Sequence, residues 1–341
     1  MGFCNFSTMA ESHFHFSKEK PLRWGVIGCG GVTEKKSVPA YQKTLGFEVA
    51  MVMRRNALKA EDYAKRHGIP QWTTNAEEVI NNPQIDAIYI ATPPDSHKFY
   101  ALQVAKAGKP CCVEKPMAPN YKDSLAIFNA FEEKNLPLFI SYYRRSLPRF
   151  LKLKQLLDNG LIGEVRHIHW QKTKPPNDLD IHRTYNWRTD AQIAPGGYFD
   201  DLASHGLDLF TFLLGDVTQA SGFAQNQQGL YSSFDAVSGS WLHQGGITGE
   251  GFWNFGTHVR EDKVEIWGSK GKITFSVLDE APIQLKNESE NLVLEIPHPE
   301  HIQKYHVGNI KNHLLGMGTH PSTGKSGLHT SWIMDKILGT L

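Results

Sequence analysis

The sequence predicts an α/β protein with two domains: a doubly wound parallel sheet, followed by an α+β domain with a large, mostly antiparallel open sheet. The chain has 341 residues, enough for two hydrophobic cores. From Leu22 onward, short runs that are apolar on both faces alternate with amphipathic segments, which is typical of a parallel sheet covered by helices. In the second half, Gly-bounded runs rich in Val, Ile, Phe and Trp favour an antiparallel sheet.

The first domain is predicted at residues 21–142, after a leader at residues 1–20 that lacks the apolar run of a signal peptide and is expected to be poorly ordered. Its strands are predicted in LRWGVIG, FEVAMVM, IPQW, DAIYIAT, PCCVE and LPLFISY. Its helices are predicted in the stretch that ends at Leu45 and at residues 57–67, 96–108 and 121–134.

The second domain is predicted at residues 143–341. It begins with a helix at residues 148–157 and the strand EVRHIHWQK, followed by a loop rich in Pro and Asn and a helix within PGGYFDDLASHGLDLF. The remaining strands are predicted in VTQASGFAQ, AVSGSWLH, ITGEGFWNF, DKVEIWG and GKITFSV, and helices near residues 301–317 and 328–338 close the chain.

The overall composition argues against a polyanionic partner. Lys and Arg number 36 and Asp and Glu number 35, so no global field attracts nucleic acid or an anionic membrane, and a small neutral partner is favoured. No run of eighteen apolar residues predicts a membrane span. The four cysteines, Cys4, Cys29, Cys111 and Cys112, show no CxxC spacing, which fits a reducing compartment and predicts a cytoplasmic protein.

A glycine-rich turn follows the first strand. Gly28 suits a tight turn and Gly30 a close approach of a pyrophosphate to the backbone, while Thr33 occupies the position where a third small residue is usual. A strand precedes this turn and a helix follows it, and the free N–H groups at the start of that helix suit a pyrophosphate; Gly31 and Val32 are also predicted to contact the cofactor. The arrangement predicts a dinucleotide-binding Rossmann domain.

The second strand indicates which dinucleotide is bound. Glu48 lies at about the distance at which an acidic residue usually binds the adenosine ribose, but it begins its strand, whereas the ribose lies at the carboxyl end. Arg54 and Arg55 follow that end, and a guanidinium can pair with a 2′-phosphate. NADP is therefore predicted in preference to NAD, with solvated surface arginines as the alternative.

Two further strand ends carry polar residues at the edge where ligands bind in open α/β sheets. The predicted cofactor-pocket residues are Thr92, Pro93 and His97 after one strand, and Glu114 and Lys115 after the next. For His97, a surface position is an equal alternative. Because Pro116 keeps Lys115 extended, the lysine is expected to project toward the nicotinamide, where it can hydrogen-bond a reacting hydroxyl.

The helix in PGGYFDDLASHGLDLF places three polar residues in one narrow sector. At 100° per residue, Asp201, His205 and Asp208 face the same way, whereas Asp200 points elsewhere and is interpreted as a helix-start residue. Two carboxylates and an imidazole could hold zinc, but no further histidine or cysteine has a recognisable ligand spacing. No metal is therefore predicted.

The order of GVIGCGGV, IATPPDSHKFYALQVAKAGKP, VEKP and GGYFDDLASHGLDL resembles that of the glucose-fructose oxidoreductase / inositol dehydrogenase family (Gfo/Idh/MocA). The resemblance implies a nicotinamide nucleotide bound between the two domains and a sugar, inositol or cyclic polyol as substrate. It also implies Lys115 as the lysine of the EKP motif, Asp201 as the substrate-site aspartate and His205 as the catalytic histidine. Family members commonly form dimers or tetramers through the open sheet.

On this resemblance, neutral His205 is expected to remove the hydroxyl proton while Lys115 hydrogen-bonds the same oxygen. Asp201 is expected to bind a neighbouring hydroxyl of the substrate and to favour the protonated form of His205. Asp208 is expected to orient the His205 ring. Arg144 and Arg188 are predicted substrate residues, with Arg145 as an alternative to Arg144 as the arginine that lines the cleft. Two alternatives remain: a non-catalytic dinucleotide- or sugar-binding regulatory protein, and a lyase or glycosidase that cycles its cofactor without net redox change.

Overall fold

The computed structural model describes residues 15–341, so most of the predicted leader and Cys4 lie outside the described residues. The first sheet has six parallel strands in the order β3-β2-β1-β4-β5-β6. The strands are β1 (Leu22–Ile27), β2 (Phe47–Met53), β3 (Gln71–Thr73), β4 (Ala87–Ile90), β5 (Cys111–Val113) and β6 (Leu138–Ile140). The strand order reverses between β1 and β4, and ligands of such sheets bind at that point.

The α-helices that connect these strands are α1 (Gly31–Lys35), α2 (Val38–Gln42), α3 (Ala57–His67), α4 (Ala76–Ile80), α5 (His97–Lys106) and α6 (Tyr121–Glu132). Helix α3 begins where the Asn56 side chain accepts from the N–H of Lys59, and it ends at Gly68, which has φ +63°. The single helix predicted to end at Leu45 is instead two short helices. Pro39 lacks an N–H donor and its ring would clash with the carbonyl four residues earlier, so the helix breaks before it.

The second sheet has eight strands in the order β14-β13-β12-β11-β7-β10-β9-β8. They are β7 (Val165–Thr173), β8 (Val217–Gln225), β9 (Ala236–His243), β10 (Thr248–Asn254), β11 (Glu261–Gly268), β12 (Gly271–Phe275), β13 (Ile283–Asn287) and β14 (Asn291–Leu294). Only the β7 and β10 pair is parallel, so the predicted mostly antiparallel sheet is confirmed. Exposed and buried side chains alternate along β10, which leaves one face open.

The remaining helices are α7 (Pro148–Asp158), α8 (Asp178–Ile181), α9 (Tyr198–Leu214), α10 (Lys304–Leu314) and α11 (Gly324–Leu338). Helix α9 packs on the covered face of the second sheet, where Gly206 lies so close to the Trp170 ring that a Cβ would collide with it. This packing fixes the rotation of α9 and therefore the direction in which Asp201 and His205 point.

The end of the chain returns to the first sheet. Val307, Ile310 and Leu314 of α10 belong to the same core as Trp24 and Tyr41, and α11 packs against α6 as well as α9 and β8. Helices α10 and α11 therefore pack against the first domain although they follow the predicted boundary at residue 142. The predicted division of the chain into domains remains a proposal.

Cys29, Cys111 and Cys112 are buried free thiols. No helix in residues 15–341 combines the length and the apolarity needed to cross a lipid bilayer.

Candidate active site

A cleft of about 580 Å³ opens at the carboxyl edge of the first sheet, against the start of α9. Residues from both halves of the chain line it, including Gly30, Gly31, Val32, Thr92, Pro93, Glu114 and Lys115 from the first, and Arg144, Arg188, Asp201 and His205 from the second. A second cavity of about 540 Å³ adjoins it, contains Gly28, Arg54 and Arg55, and shares Gly30, Thr92, Pro93 and Trp187 with the first. The two spaces form one elongated site.

The glycine turn fits a phosphate group. Gly28 has φ +97°, and a Cβ there would lie 2.8 Å from the backbone carbon of Ala91, so only glycine fits. A Cβ on Gly30 or Gly31 would meet no atom within 4 Å, so the backbone beside the cleft is open to a ligand. Thr33 is buried and its hydroxyl donates to the Gly30 carbonyl at 2.8 Å, so the threonine closes the turn. These features suit a dinucleotide pyrophosphate.

The second cavity contains the predicted arginines. Arg54 donates from Nη1 to the Cys29 carbonyl at 2.6 Å, and Arg55 lies exposed at the same edge. Glu48 lies at the other end of β2, where it pairs with Arg23 at 3.7 Å. The arginines, and not Glu48, line the cavity.

His97 differs from both expectations for it. It is fully buried, its ring nitrogens lie 2.8 Å from the Thr92 carbonyl and 3.1 Å from the Pro116 carbonyl, and it lines neither cavity. His97 is therefore not a surface residue, and its prediction as a cofactor contact is corrected. The loops after β4 and β5 direct the carbonyl groups of Thr92 and Pro116 inward. His97, in the first turn of α5, contacts both carbonyls and so connects the two loops.

Glu114 is held by neutral donors. Its carboxylate accepts from the Tyr89 hydroxyl at 2.6 Å and from Nε2 of Gln303 at 2.7 Å. Gln303, far along the chain, gave no sequence signal for this contact. The next peptide bond, between Lys115 and Pro116, is cis.

Lys115 and Asp201 join the two halves of the cleft. Nζ of Lys115 donates to the Asp201 carbonyl at 2.7 Å and to its carboxylate at 2.5 Å, and Nε of Arg188 donates to the other carboxylate oxygen at 2.8 Å. Burial alone would raise the pKa of Asp201, but the two cations hold it well below its usual range. The carboxylate is thus ionised and placed between Lys115 and Arg188.

His205 lies one turn after Asp201, is 4% exposed and lines the cleft. Its ring contacts the Tyr143 ring at a centroid distance of 5.2 Å, and its Nδ1 has no hydrogen-bond partner among the described residues. Burial, followed by the charges of Arg144, Lys115 and Lys36, lowers the pKa of His205 well below its ordinary value. The expectation that Asp201 stabilises protonated His205 is therefore not supported, and a neutral imidazole is favoured.

The two other aspartates of α9 are engaged elsewhere. Asp208 accepts from Nε and Nη2 of Arg145, both at 2.8 Å, so the expectation that it orients His205 is wrong. Asp200 accepts from the Gly196 N–H at 2.8 Å, as suits a helix-start residue, and burial raises its pKa to about 7. Helical spacing separated Asp200 from Asp201 correctly but could not reveal the arginine that binds Asp208.

Arg144 and Arg188 both line the cleft. Arg188 stacks over the Trp187 ring at 4.3 Å. Arg144 donates from Nε to the Val277 carbonyl at 2.8 Å and lies over the Tyr143 ring at 5.0 Å.

Several other lining residues, among them Lys36, Ala91 and Leu278, were not predicted as site residues. The signal for Lys36 is its position one turn after the glycines. Within residues 15–341, no group of three His, Cys, Asp or Glu side chains is arranged to hold a metal ion.

Comparison with known proteins agrees with this architecture. Residues 22–142 match the family model described as an oxidoreductase family with an NAD-binding Rossmann fold, and residues 150–274 match the GFO/IDH/MocA C-terminal domain. "Oxidoreductase P35" of Formosa agariphila is 38% identical over 94% of this chain and 100% of its own length. A 1,5-anhydro-D-fructose reductase of Ensifer adhaerens is 25% identical, covering 90% of this chain and 92% of its own.

Among solved structures, a levoglucosan dehydrogenase in complex with NADH and levoglucosan has a TM-score of 0.82 at 22% identity. The match covers 94% of this chain and 97% of that one, and at this identity it shows the shared fold.

Proposed function

This chain belongs to the GFO/IDH/MocA family of oxidoreductases, and from that membership we propose that it interconverts a hydroxyl and a ketone or aldehyde on a sugar, inositol or related cyclic polyol, using NAD(P). The observation that carries the proposal is the convergence of Lys115, Asp201 and His205 in one cleft that continues into the glycine turn. Relatives named as a reductase and a dehydrogenase of sugars support the substrate class.

The dinucleotide would be held by the open backbone at Gly30 and Gly31 and by the loop that carries Thr92 and Pro93. A bound nicotinamide would supply the hydride acceptor for oxidation of the substrate carbon and the hydride donor for its reduction. Arg55, exposed in the second cavity, would pair with a 2′-phosphate, so we propose NADP in preference to NAD.

The acid-base chemistry would be carried by Lys115 and His205. In the oxidising direction, neutral His205 accepts the hydroxyl proton, and the lowered pKa keeps its imidazole in the proton-accepting form. The Lys115 ammonium has three N–H donors, of which two bind Asp201. The third is available to the reacting oxygen and stabilises its developing negative charge.

Asp201 would have two tasks. Its contacts hold Lys115 and Arg188, and its remaining lone pairs can accept a hydrogen bond from a neighbouring hydroxyl of the sugar. In the reducing direction the same groups act in reverse, with His205 returning the proton.

The proposal is tested by following NADPH and NADH absorbance with a panel of ketoses and cyclic ketones. We expect oxidation of NADPH with at least one member of the panel. Binding of nucleotide without turnover of any sugar would instead indicate a regulatory binding protein. Turnover of a sugar without net change in NADPH would indicate a redox-cycling lyase or glycosidase.

We also propose that two copies associate through the open face of the second sheet. Phe223 on β8 is 81% exposed and Phe252 on β10 is 37% exposed, and both project from this face beside His169 and Ser240. Exposed aromatic rings on the surface of a sheet are typical of an interface.

We propose a reducing compartment such as the cytoplasm, which the buried free thiols of Cys29, Cys111 and Cys112 suit.

A further inference from the structure

Arg144 is a buried cation for which residues 15–341 provide no ion-pair partner. It is 5% exposed, and its Nη1 has no hydrogen-bond partner among the described residues. Arg145 and Arg188, by contrast, are each paired with an aspartate at 2.8 Å. A buried charge without a partner is costly, and because Arg144 lines the cleft, a bound anion could supply the missing charge.

The charge of the whole cleft points the same way. Four cations line it, Lys36, Lys115, Arg144 and Arg188, against two carboxylates, Glu114 and Asp201. Asp201 is bound to Lys115 and Arg188, and Glu114 accepts from neutral donors. Arg144 and Lys36 are therefore left for anionic groups of bound molecules.

Two such groups can be assigned by position. Lys36 follows the glycine turn by one helical turn, which places it beside the proposed pyrophosphate region. Arg144 follows β6 and is anchored to the Val277 carbonyl and the Tyr143 ring, on the side of the cleft that contains His205. Arg144 does not line the second cavity, where the glycine turn meets Arg54 and Arg55.

We propose that Arg144 binds an oxyanion carried by the sugar, a carboxylate, sulfate ester or phosphate ester, so that the substrates are acidic sugars. This inference rests on the proposed function, because it concerns the same cleft. The nearly neutral composition of the chain favoured a small neutral substrate, and this proposal puts an anionic substrate in its place. A guanidinium suits all three oxyanions, because its planar donors match two oxygens at once.

The test measures binding of matched glycosides to the protein saturated with NADPH. The probes are methyl β-D-glucopyranoside, methyl β-D-glucuronide, and the 6-sulfate and 6-phosphate of the glucoside. Their blocked anomeric carbon cannot be reduced, so isothermal titration calorimetry records binding alone. We expect at least one anionic glycoside to bind about tenfold to a hundredfold more tightly than the neutral one, and the tightest identifies the oxyanion.

Three variants locate the effect. Arg144→Gln should abolish the advantage of the anionic glycoside, and Arg144→Lys should retain only part of it, because a lysine keeps the charge without the planar fork. Arg23→Gln, at the amino end of β1 and far from the cleft, should retain all of it. Thermal unfolding checks that each variant is folded. If Arg144→Gln does not fold, the comparison rests on Arg144→Lys alone.

Three results would overturn the inference. The first is that no anionic glycoside binds more tightly than the neutral one, and the second is that the tighter binding of the anionic glycoside survives in both Arg144 variants. The third is a tenfold loss of NADPH affinity in those variants with an unchanged ratio between the dissociation constants of the anionic and neutral glycosides. The last would assign Arg144 to the nucleotide. Turnover of NADPH with the panel of sugars is measured separately. Its absence would refute the proposed function without altering these ratios.

Discussion

Replacing Asp201 by Asn removes the one carboxylate that holds both Lys115 and Arg188. In the structure, Nζ of Lys115 lies 2.5 Å from one of its oxygens, and Nε of Arg188 lies 2.8 Å from the other. The Lys115 side chain is 11% exposed and that of Arg188 is 40% exposed, so both cations can turn partly toward water when the negative charge is lost.

The expected magnitudes follow from these contacts. Breaking a buried ion pair costs about 3–5 kcal/mol, and because both cations retain access to solvent we expect a loss of about 3 kcal/mol in the free energy of unfolding. Without its fixed partner, Lys115 would no longer be held in the direction of the reacting oxygen that the proposed mechanism requires. Loss of one hydrogen bond to a charged group corresponds to a fall of about tenfold to a hundredfold in kcat/KM.

The assay combines urea unfolding with initial rates for the sugar of the panel that the wild-type protein reduces, and fluorescence titration of NADPH. Asp200→Asn is the matched control, because Asp200 is the adjacent carboxylate but binds the Gly196 N–H outside the cleft. Wild-type kcat/KM in Asp201→Asn, or an equal loss in Asp200→Asn, would refute the role assigned to Asp201.

Three further predictions follow from other sites. Arg55→Ala should weaken NADPH binding about tenfold or more and leave NADH within about twofold, because only NADPH offers a 2′-phosphate; equal losses for both nucleotides would exclude this contact. Burial raises the pKa of Asp200 from 3.8 to about 7, so the folded state holds the proton more tightly than the unfolded state, and the wild type should lose about 4 kcal/mol of stability as pH rises through the window between these two values. Asp200→Asn should abolish this fall in urea titrations at either end of the window, and an unchanged slope would assign it to another group. Phe223→Asp should convert a dimer to a monomer in light scattering without unfolding it, and a wild-type monomer would contradict the proposed interface.

Elements with strong local signals could be predicted from the sequence. Helix α3 has the predicted limits because Asn56 and Gly68 cap it, and β8 and β9 match their apolar runs. Pro39 marks the start of α2 and was a local signal for two helices. The prediction followed the helical pattern of the stretch and therefore gave one helix. Strands β13 and β14 were not predicted, because their short runs IQLKN and NLVL carry polar or partly exposed residues.

The position of the candidate site was predictable, but its contacts were not. Helical spacing put Asp201 and His205 on one helix face, the strand end put Lys115 at the ligand-binding edge, and the family resemblance implied that the three meet. Which partner each polar group takes depends on residues distant in sequence, as with Gln303 beside Glu114 and Arg145 beside Asp208. A nearly neutral chain likewise says nothing about the charge of one cleft.

The central claim is that His205 transfers a proton while hydride passes between nicotinamide and a sugar carbon. It is tested most directly with NADPH that carries deuterium at both C4 positions, so that either face of the ring delivers the label, by following deuterium in the sugar product with mass spectrometry. We expect one deuterium on the carbon that gains the hydroxyl in the wild type. His205→Asn should reduce the rate by a factor of about 100 or more, with the dissociation constant of NADPH within about twofold. A product without deuterium, or an unchanged rate in His205→Asn, would contradict the claim.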